Sequence, residues 1–295
     1  MKGKDMKWTN YLTMLIIFVS IYAFAGQKND NKTKVKNESN SVCNNTSLAG
    51  LLPAVAVPRV LEKVLSLNKE RIGNSGQIIL VTNEYITQLN VKIQTFEKNN
   101  GKWVEKFAKT SGTIGFKGFA EYKQKREGDK KTPTGIFYLG PVYTYPNVKV
   151  ETKMDHWVAT KNDYWIDDVK SVQYNRWVTS EKDPKTDNVS CEPMLRKQDG
   201  KYKYGIAVQF NMDQVKGNGS VITVHVLEGP TGTVGCIAIP IESLIEIIGW
   251  LDPIQKPLII NGTQAELISK PVSVPSLDKN DIYIWKKEKY APPSK

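Results

Sequence analysis

From residue 76 onward the chain is built of short apolar or alternating runs, each closed by Gly, Pro or Asn. "GQIILVT" from Gly76, "NVKIQTF" from Asn90 and "KWVEKFA" from Lys102 read as strands, with Asn99 to Gly101 supplying an Asn-Gly signal for a tight hairpin between the last two. "GIFYLG", "YGIAVQFN", "SVITVHV", "CIAIP" and "PLIING" continue the pattern. One segment departs from it. Ile241, Leu244, Ile245, Ile248 and Leu251 fall at helical offsets, with Pro240 able to start the helix and Asp252-Pro253 able to end it. A shorter helix is predicted after Pro58, carried by Val60, Val64 and Leu67. The fold class predicted is therefore mainly β, with a helix packed beside the strand that holds Cys236.

The first residues follow a different logic. Lys2, Lys4 and Lys7 precede the apolar run Tyr11 to Ala25, which ends in Ala23-Phe24-Ala25 before Gly26. Basic, apolar and small-residue segments in that order predict a secretory signal peptide over 1–25, cleaved after Ala25. An uncleaved anchor is the alternative, for which the apolar run is short of the roughly 20 residues of a span. Residues 26–58, rich in Lys, Asn, Asp and Ser, read as a solvated tether. The folded domain is placed at 59–262. The remainder, 263–295, contains one strand candidate, "DIYIW".

Composition places the 295-residue chain in the globular range, at 40% hydrophobic and 24% charged residues. Its formal charge of +11 falls to +9 once the leader's three lysines and one aspartate are removed. Such a charge suits anionic cell-wall polymers or a membrane surface, and equally a well-solvated exterior. Export and the lack of a binding signature argue against nucleic acid as a partner. Cys43, Cys191 and Cys236 are odd in number, so one thiol is left over in an oxidising compartment. Cys236 is the expected free one; Cys43 and Cys191 are a pair that could form a disulfide tying the N-terminal arm to the domain, at a distance the sequence does not set.

The stretch "HVLEGPTGTVGCIAIP", His225 to Pro240, holds the candidate chemistry. On a strand, Thr223 and His225 share one face while Ile222, Val224 and Val226 share the other. Gly232 and Gly235 allow a sharp turn before Cys236. An imidazole beside a thiol activates it and can later protonate a leaving amine, and the backbone N–H of Cys236 can stabilise an oxyanion. A small buried cysteine next to a hydrogen-bonded strand histidine fits the same spacing.

These residues resemble the active-site signature of the L,D-transpeptidase catalytic domain, the YkuD-like family: a strand-ending histidine, a variable loop, then Ser or Thr, any residue, Gly and Cys. "EGDKKTPTGIFYLG" from Glu127 resembles the Gly-Asp-x-Lys-Thr-Pro-Thr-Gly block of that family, and "YKYGIAVQFN" with "KGNGSVITVHV" resembles the strand pair leading to the histidine. The resemblance covers about residues 75–262. It implies an L,D-transpeptidase-like β-sandwich with one or two packed helices and an exported, cell-envelope enzyme. Its substrate would be a peptidoglycan tetrapeptide stem, cleaved with release of D-Ala and formation of cross-links, or of a carboxypeptidase product where water is the acceptor. A non-catalytic envelope-binding module is the further alternative. Cys236 resembles the nucleophile and His225 its base, with a carbonyl in the 233–235 stretch, Gly235 foremost, orienting the imidazole. Val226 and Ala238 stand where many members have Gly or Ser and an arginine, which puts substrate choice in doubt.

Arg196 is a candidate replacement for that cation. Thr233 and Tyr204 complete the substrate-binding candidates. The aromatic stretch 154–178, with His156, Trp157, Tyr164, Trp165, Tyr174 and Trp177, reads as a lid or as a satellite hydrophobic cluster. His156 with Asp167-Asp168 is not a recognisable ligand set, so no metal or other cofactor is expected.

Overall fold

A computed structural model describes residues 57–272 and 285–293, all within one compact unit, Leu51–Lys295. The predicted leader 1–25, the predicted tether up to residue 56 and Cys43 lie outside the described residues, as does most of "DIYIW". Eight strands form the central element: β1 Gln77–Asn83, β2 Asn90–Asn99, β3 Thr110–Thr113, β4 Gly135–Thr144, β5 Tyr204–Val208, β6 Thr223–Val226, β7 Ile237–Ile239 and β8 Leu258–Thr263. Their order is β1-β8-β4-β5-β6-β7-β3-β2, and β2 pairs again with β1. The ring is closed.

The class is mainly β, as expected, but the large sheet closes into a barrel, where two facing sheets were expected. The cause lies in β1, which is buried along its whole length and bonded on both edges, parallel to β8 and antiparallel to β2. Its continuous apolar run serves two cores. Ile79 and Val81 point to one with Phe137, Ile206, Val224 and Ile259, while Ile78 and Leu80 point to the other. That second, outer face is covered by Leu61 and Val64 of α1 (Arg59–Leu67) and Leu267 of α3 (Gln264–Ser269).

Helix α2, Ile241–Trp250, sits where the periodicity placed it, after Pro240. Leu244, Ile247 and Ile248 enter the first core, whereas Ile245, counted in the predicted stripe, is exposed. The hairpin expected at Asn99 to Gly101 is present: Lys102–Glu105 returns along β2, with positive φ at Asn100 and Gly101.

Residues 154–193 are the main addition to the barrel. Asp163–Ile166, Trp177–Thr179 and Cys191–Pro193 form a small sheet whose outer edge is Glu288–Lys289 from the C-terminal segment. Trp165 and Trp177 are fully buried against Tyr143 and Ala207, residues on the outward face of β4 and β5. Trp157, Trp165 and Trp177 thus form a hydrophobic cluster between this sheet and the barrel wall, while Tyr164 packs in a separate cluster with Ile166, Val178 and Cys191. The sheet's far end borders the cavity described next. Among the described residues, no helix is long and apolar enough to cross a membrane.

Candidate functional site

Strand β6 alternates as its sequence requires. Ile222, Val224 and Val226 face the first core, leaving Thr223 and His225 on the outward face. Parallel pairing with β7 sets His225 opposite Ala238, so Cys236, just before β7, falls beside them. His225 and Cys236 both line a cavity of about 250 Å³ between the barrel wall and the small sheet. Tyr202, Lys125, Glu127, Asp167, Glu192 and Arg196 add to its walls.

The turn before Cys236 is held from two sides. Thr233 Oγ1 donates to Cys236 O (2.6 Å) and accepts from Gly235 N (3.1 Å). Thr132 Oγ1, fully buried in "KKTPTG", reaches Gly235 O (2.8 Å) and Cys236 O (3.2 Å) while accepting from Gly115 N (2.9 Å). Gly232 is required by space, because a Cβ there would lie 2.9 Å from Ile114 O. At Gly235, with φ +157°, a Cβ would lie 3.0 Å from Lys131 O.

His225 Nδ1 lies 2.9 Å from Val226 O, an acceptor, so Nδ1 carries the proton and Nε2 the free lone pair. The expectation that a carbonyl of 233–235 orients the ring is therefore corrected: Gly235 O is engaged by Thr132, and the orienting carbonyl belongs to Val226. Tyr202 packs edge-on against the imidazole at 5.4 Å between centroids. Burial pushes His225 down to about 4, with Lys201 and Arg196 opposing its charge further. Cys236 is also buried, and loss of solvent raises its thiol above the ordinary range. The resting pair is thus a neutral thiol and a neutral imidazole. They share a cavity without a mutual hydrogen bond: the sulfur's partners are Val221 O, which accepts from Sγ at 3.2 Å, and the Thr223 hydroxyl at 3.5 Å.

The other candidates separate. Thr233 lines the cavity, but its hydroxyl is spent on the turn. Arg196 lines it too, yet its guanidinium is ion-paired with Glu192 and with Asp199 (3.0 Å) and stacks over Tyr202. It is not a free replacement cation. Tyr204 belongs to the first core, its hydroxyl reaching Lys149 O (3.3 Å), so it does not line the cavity. Tyr202 does so instead. Thr223, Thr132 and Val221 are functional neighbours of the sulfur and its turn that the sequence candidates do not include. Only Thr223 was readable, because it shares the strand face of His225.

Cys191 is a free buried thiol pushed up to about 12 by burial and by Asp183. The other member of that candidate pair, Cys43, lies outside the described residues. His156 is bonded to Thr144 Oγ1 at 2.9 Å, and no cluster of three metal-ligating side chains exists among the described residues.

No protein-family profile matches the chain, and no curated protein is similar to it. Among solved structures, the chain is similar to the helical cell shape determining protein Pgp2 from Campylobacter jejuni, at 16% identity and a TM-score of 0.34 over 70% of this chain and 55% of that one. A mutant form of the same protein gives 18% and 0.32 over 70% and 56%. The chain thus matches little more than half the length of these proteins.

Proposed function

We propose that this chain is an exported cell-envelope enzyme of the L,D-transpeptidase type, acting on peptidoglycan stem peptides through an acyl-thioester on Cys236. One observation carries the reading: a buried thiol and an imidazole of fixed tautomer face the same cavity, next to a turn braced on both sides. The blocks around Glu127–Gly140 and His225–Pro240 support it by their resemblance to the YkuD-like family. The chain's basic charge suits an anionic wall polymer.

In this reaction the sulfur attacks the carbonyl carbon of the bond between the third-position diamino acid and D-Ala, and the thiol proton passes to His225 Nε2. With both groups neutral at rest, proton transfer accompanies attack. The N–H of Cys236 stabilises the oxyanion. The C–N bond then breaks, and His225 returns the proton to the departing D-Ala amine. A second amine, or water, attacks the thioester and releases Cys236.

Purified muropeptides incubated with the protein and read by mass spectrometry test this. Loss of D-Ala with dimer formation supports the transpeptidase, and loss of D-Ala alone reassigns the chain as a carboxypeptidase. No change in any stem refutes catalysis and leaves a binding module. Cys236→Ala should abolish turnover while keeping the thermal transition of the parent, and retained turnover would remove Cys236 as nucleophile.

A further inference from the structure

The carbonyl that accepts from the thiol belongs to a strained peptide. Val221 is β-branched, yet its φ is +52°, a region such residues avoid unless their surroundings impose it. What imposes it comes from the small sheet. Asn175, in the turn between Asp163–Ile166 and Trp177–Thr179, is fully buried and uses its whole side-chain amide. Oδ1 accepts from Val221 N and from Trp165 Nε1, both at 3.1 Å. Nδ2 donates to Phe210 O (2.8 Å) and Asn211 O (2.9 Å), at the start of the loop that ends in Val221. The neighbouring Tyr174 ties the same loop differently: its hydroxyl donates to Glu127 Oε2 (2.6 Å) and accepts from Gly219 N (3.0 Å).

We propose that Asn175 is a positioning residue for the nucleophile, holding the Val221 peptide in its left-handed conformation so that the Val221 carbonyl receives the Cys236 S–H. The small sheet thereby sets where the sulfur rests and how readily it ionises. A carbonyl oxygen can accept from a thiol but repels a thiolate. Holding it there therefore stabilises the protonated sulfur. Released, Val221 relaxes to negative φ and its carbonyl leaves the sulfur. The inference rests on Cys236 being the reactive thiol of the proposed site.

The groups facing Cys236 from the packed elements are His225 and Thr223 on β6, Tyr143 on β4, Tyr202, Glu192 and Lys125. None of these is substituted in the variants chosen, and Glu127, which also lines the cavity, keeps its bond from the Ser220 hydroxyl (2.7 Å) when Tyr174→Phe removes the other, so a change in profile reports the Val221 peptide. The measurement is the rate of iodoacetamide alkylation at Cys236 from pH 6 to 10, read by peptide mass mapping on the full chain. It needs no substrate, so a negative muropeptide result leaves it decisive.

Asn175→Gly removes the amide without strain, because the φ of +57° at that position suits glycine. The alkylation midpoint should fall by about one pH unit, which is about tenfold faster labelling below the midpoint. Val221→Gly adopts the left-handed peptide freely and keeps both backbone partners, so its profile should match the parent. Tyr174→Phe loosens the same loop without touching the Val221 peptide, and its midpoint should not move. Should Asn175→Gly fail to fold, Val221→Pro decides, since proline excludes positive φ and lacks the N–H; it should show the same fall. An unmoved midpoint in Asn175→Gly overturns the proposal, as does an equal fall in Tyr174→Phe or Val221→Gly, which would mean simple loosening.

Discussion

Acidification should destabilise this protein through His225, by an amount the structure fixes. Burial lowers the imidazole from the ordinary 6.5 to about 4, so between those values the unfolded chain binds a proton that the folded chain refuses. The sign follows: stability from this group is fully present above pH 6.5 and is lost as pH falls through the window toward 4. The whole shift corresponds to about 3 kcal/mol, of which about 2 kcal/mol is already lost at pH 5. Glu97, Asp163 and Asp252 are held below the usual carboxylate range and also cost stability in acid, so the parent alone cannot isolate the imidazole. His225→Asn removes the titration while leaving an amide able to donate to Val226 O. Thermal denaturation of both proteins at pH 7.5 and pH 5 gives the difference. The parent should lose about 4 to 8 °C more than the variant, at about 2 to 4 °C per kcal/mol for a unit of this size. Equal losses would mean that His225 is not buried as a neutral base, and the general-base step would lose its footing.

Two further outcomes follow from the same geometry. Thr132→Val should cost about 2 kcal/mol in urea unfolding, because it strands the Gly115 N–H and unbraces both carbonyls of the turn; a loss under about 0.5 kcal/mol would show that the turn holds itself. Cys191, at about 12, should resist iodoacetamide at pH 8 in the folded protein and label on unfolding, and labelling of native Cys191 ahead of Cys236 would refute the burial argument.

The strands were legible because their ends are written locally: Gly76, the Asn-Gly at 100–101 and Pro240 each bound an element where the structure bounds one. Closure of the barrel was not, since β1 reads the same whether one edge or both find a partner; that depends on β2 and β8 arriving from opposite sides of the chain. The site divides along the same line. His225 and Cys236 carry side-chain chemistry in a recognisable order, and strand alternation alone places Thr223 with them. Tyr204 falls in the first core because it stands within β5, whereas Tyr202, just before that strand where the chain is turning, takes the cavity position. Arg196 looked available because nothing local shows that Glu192 and Asp199 close on it.

What the sequence withheld most completely is the surroundings of the sulfur. The Val226 carbonyl that fixes the imidazole and the Val221 carbonyl that meets the thiol are main-chain groups, which every residue possesses and no residue type announces. The side chain holding the second of them, Asn175, lies 46 positions from Val221. A motif can specify which atoms react, because those atoms are particular to Cys and His. Their protonation at rest follows from burial, backbone dipoles and distant braces, which arise only when the small sheet packs on the barrel wall. For this chain the proposed nucleophile is therefore written in one short stretch, while the surroundings that would set its reactivity are distributed over 154–193 and the loop that ends at Val221.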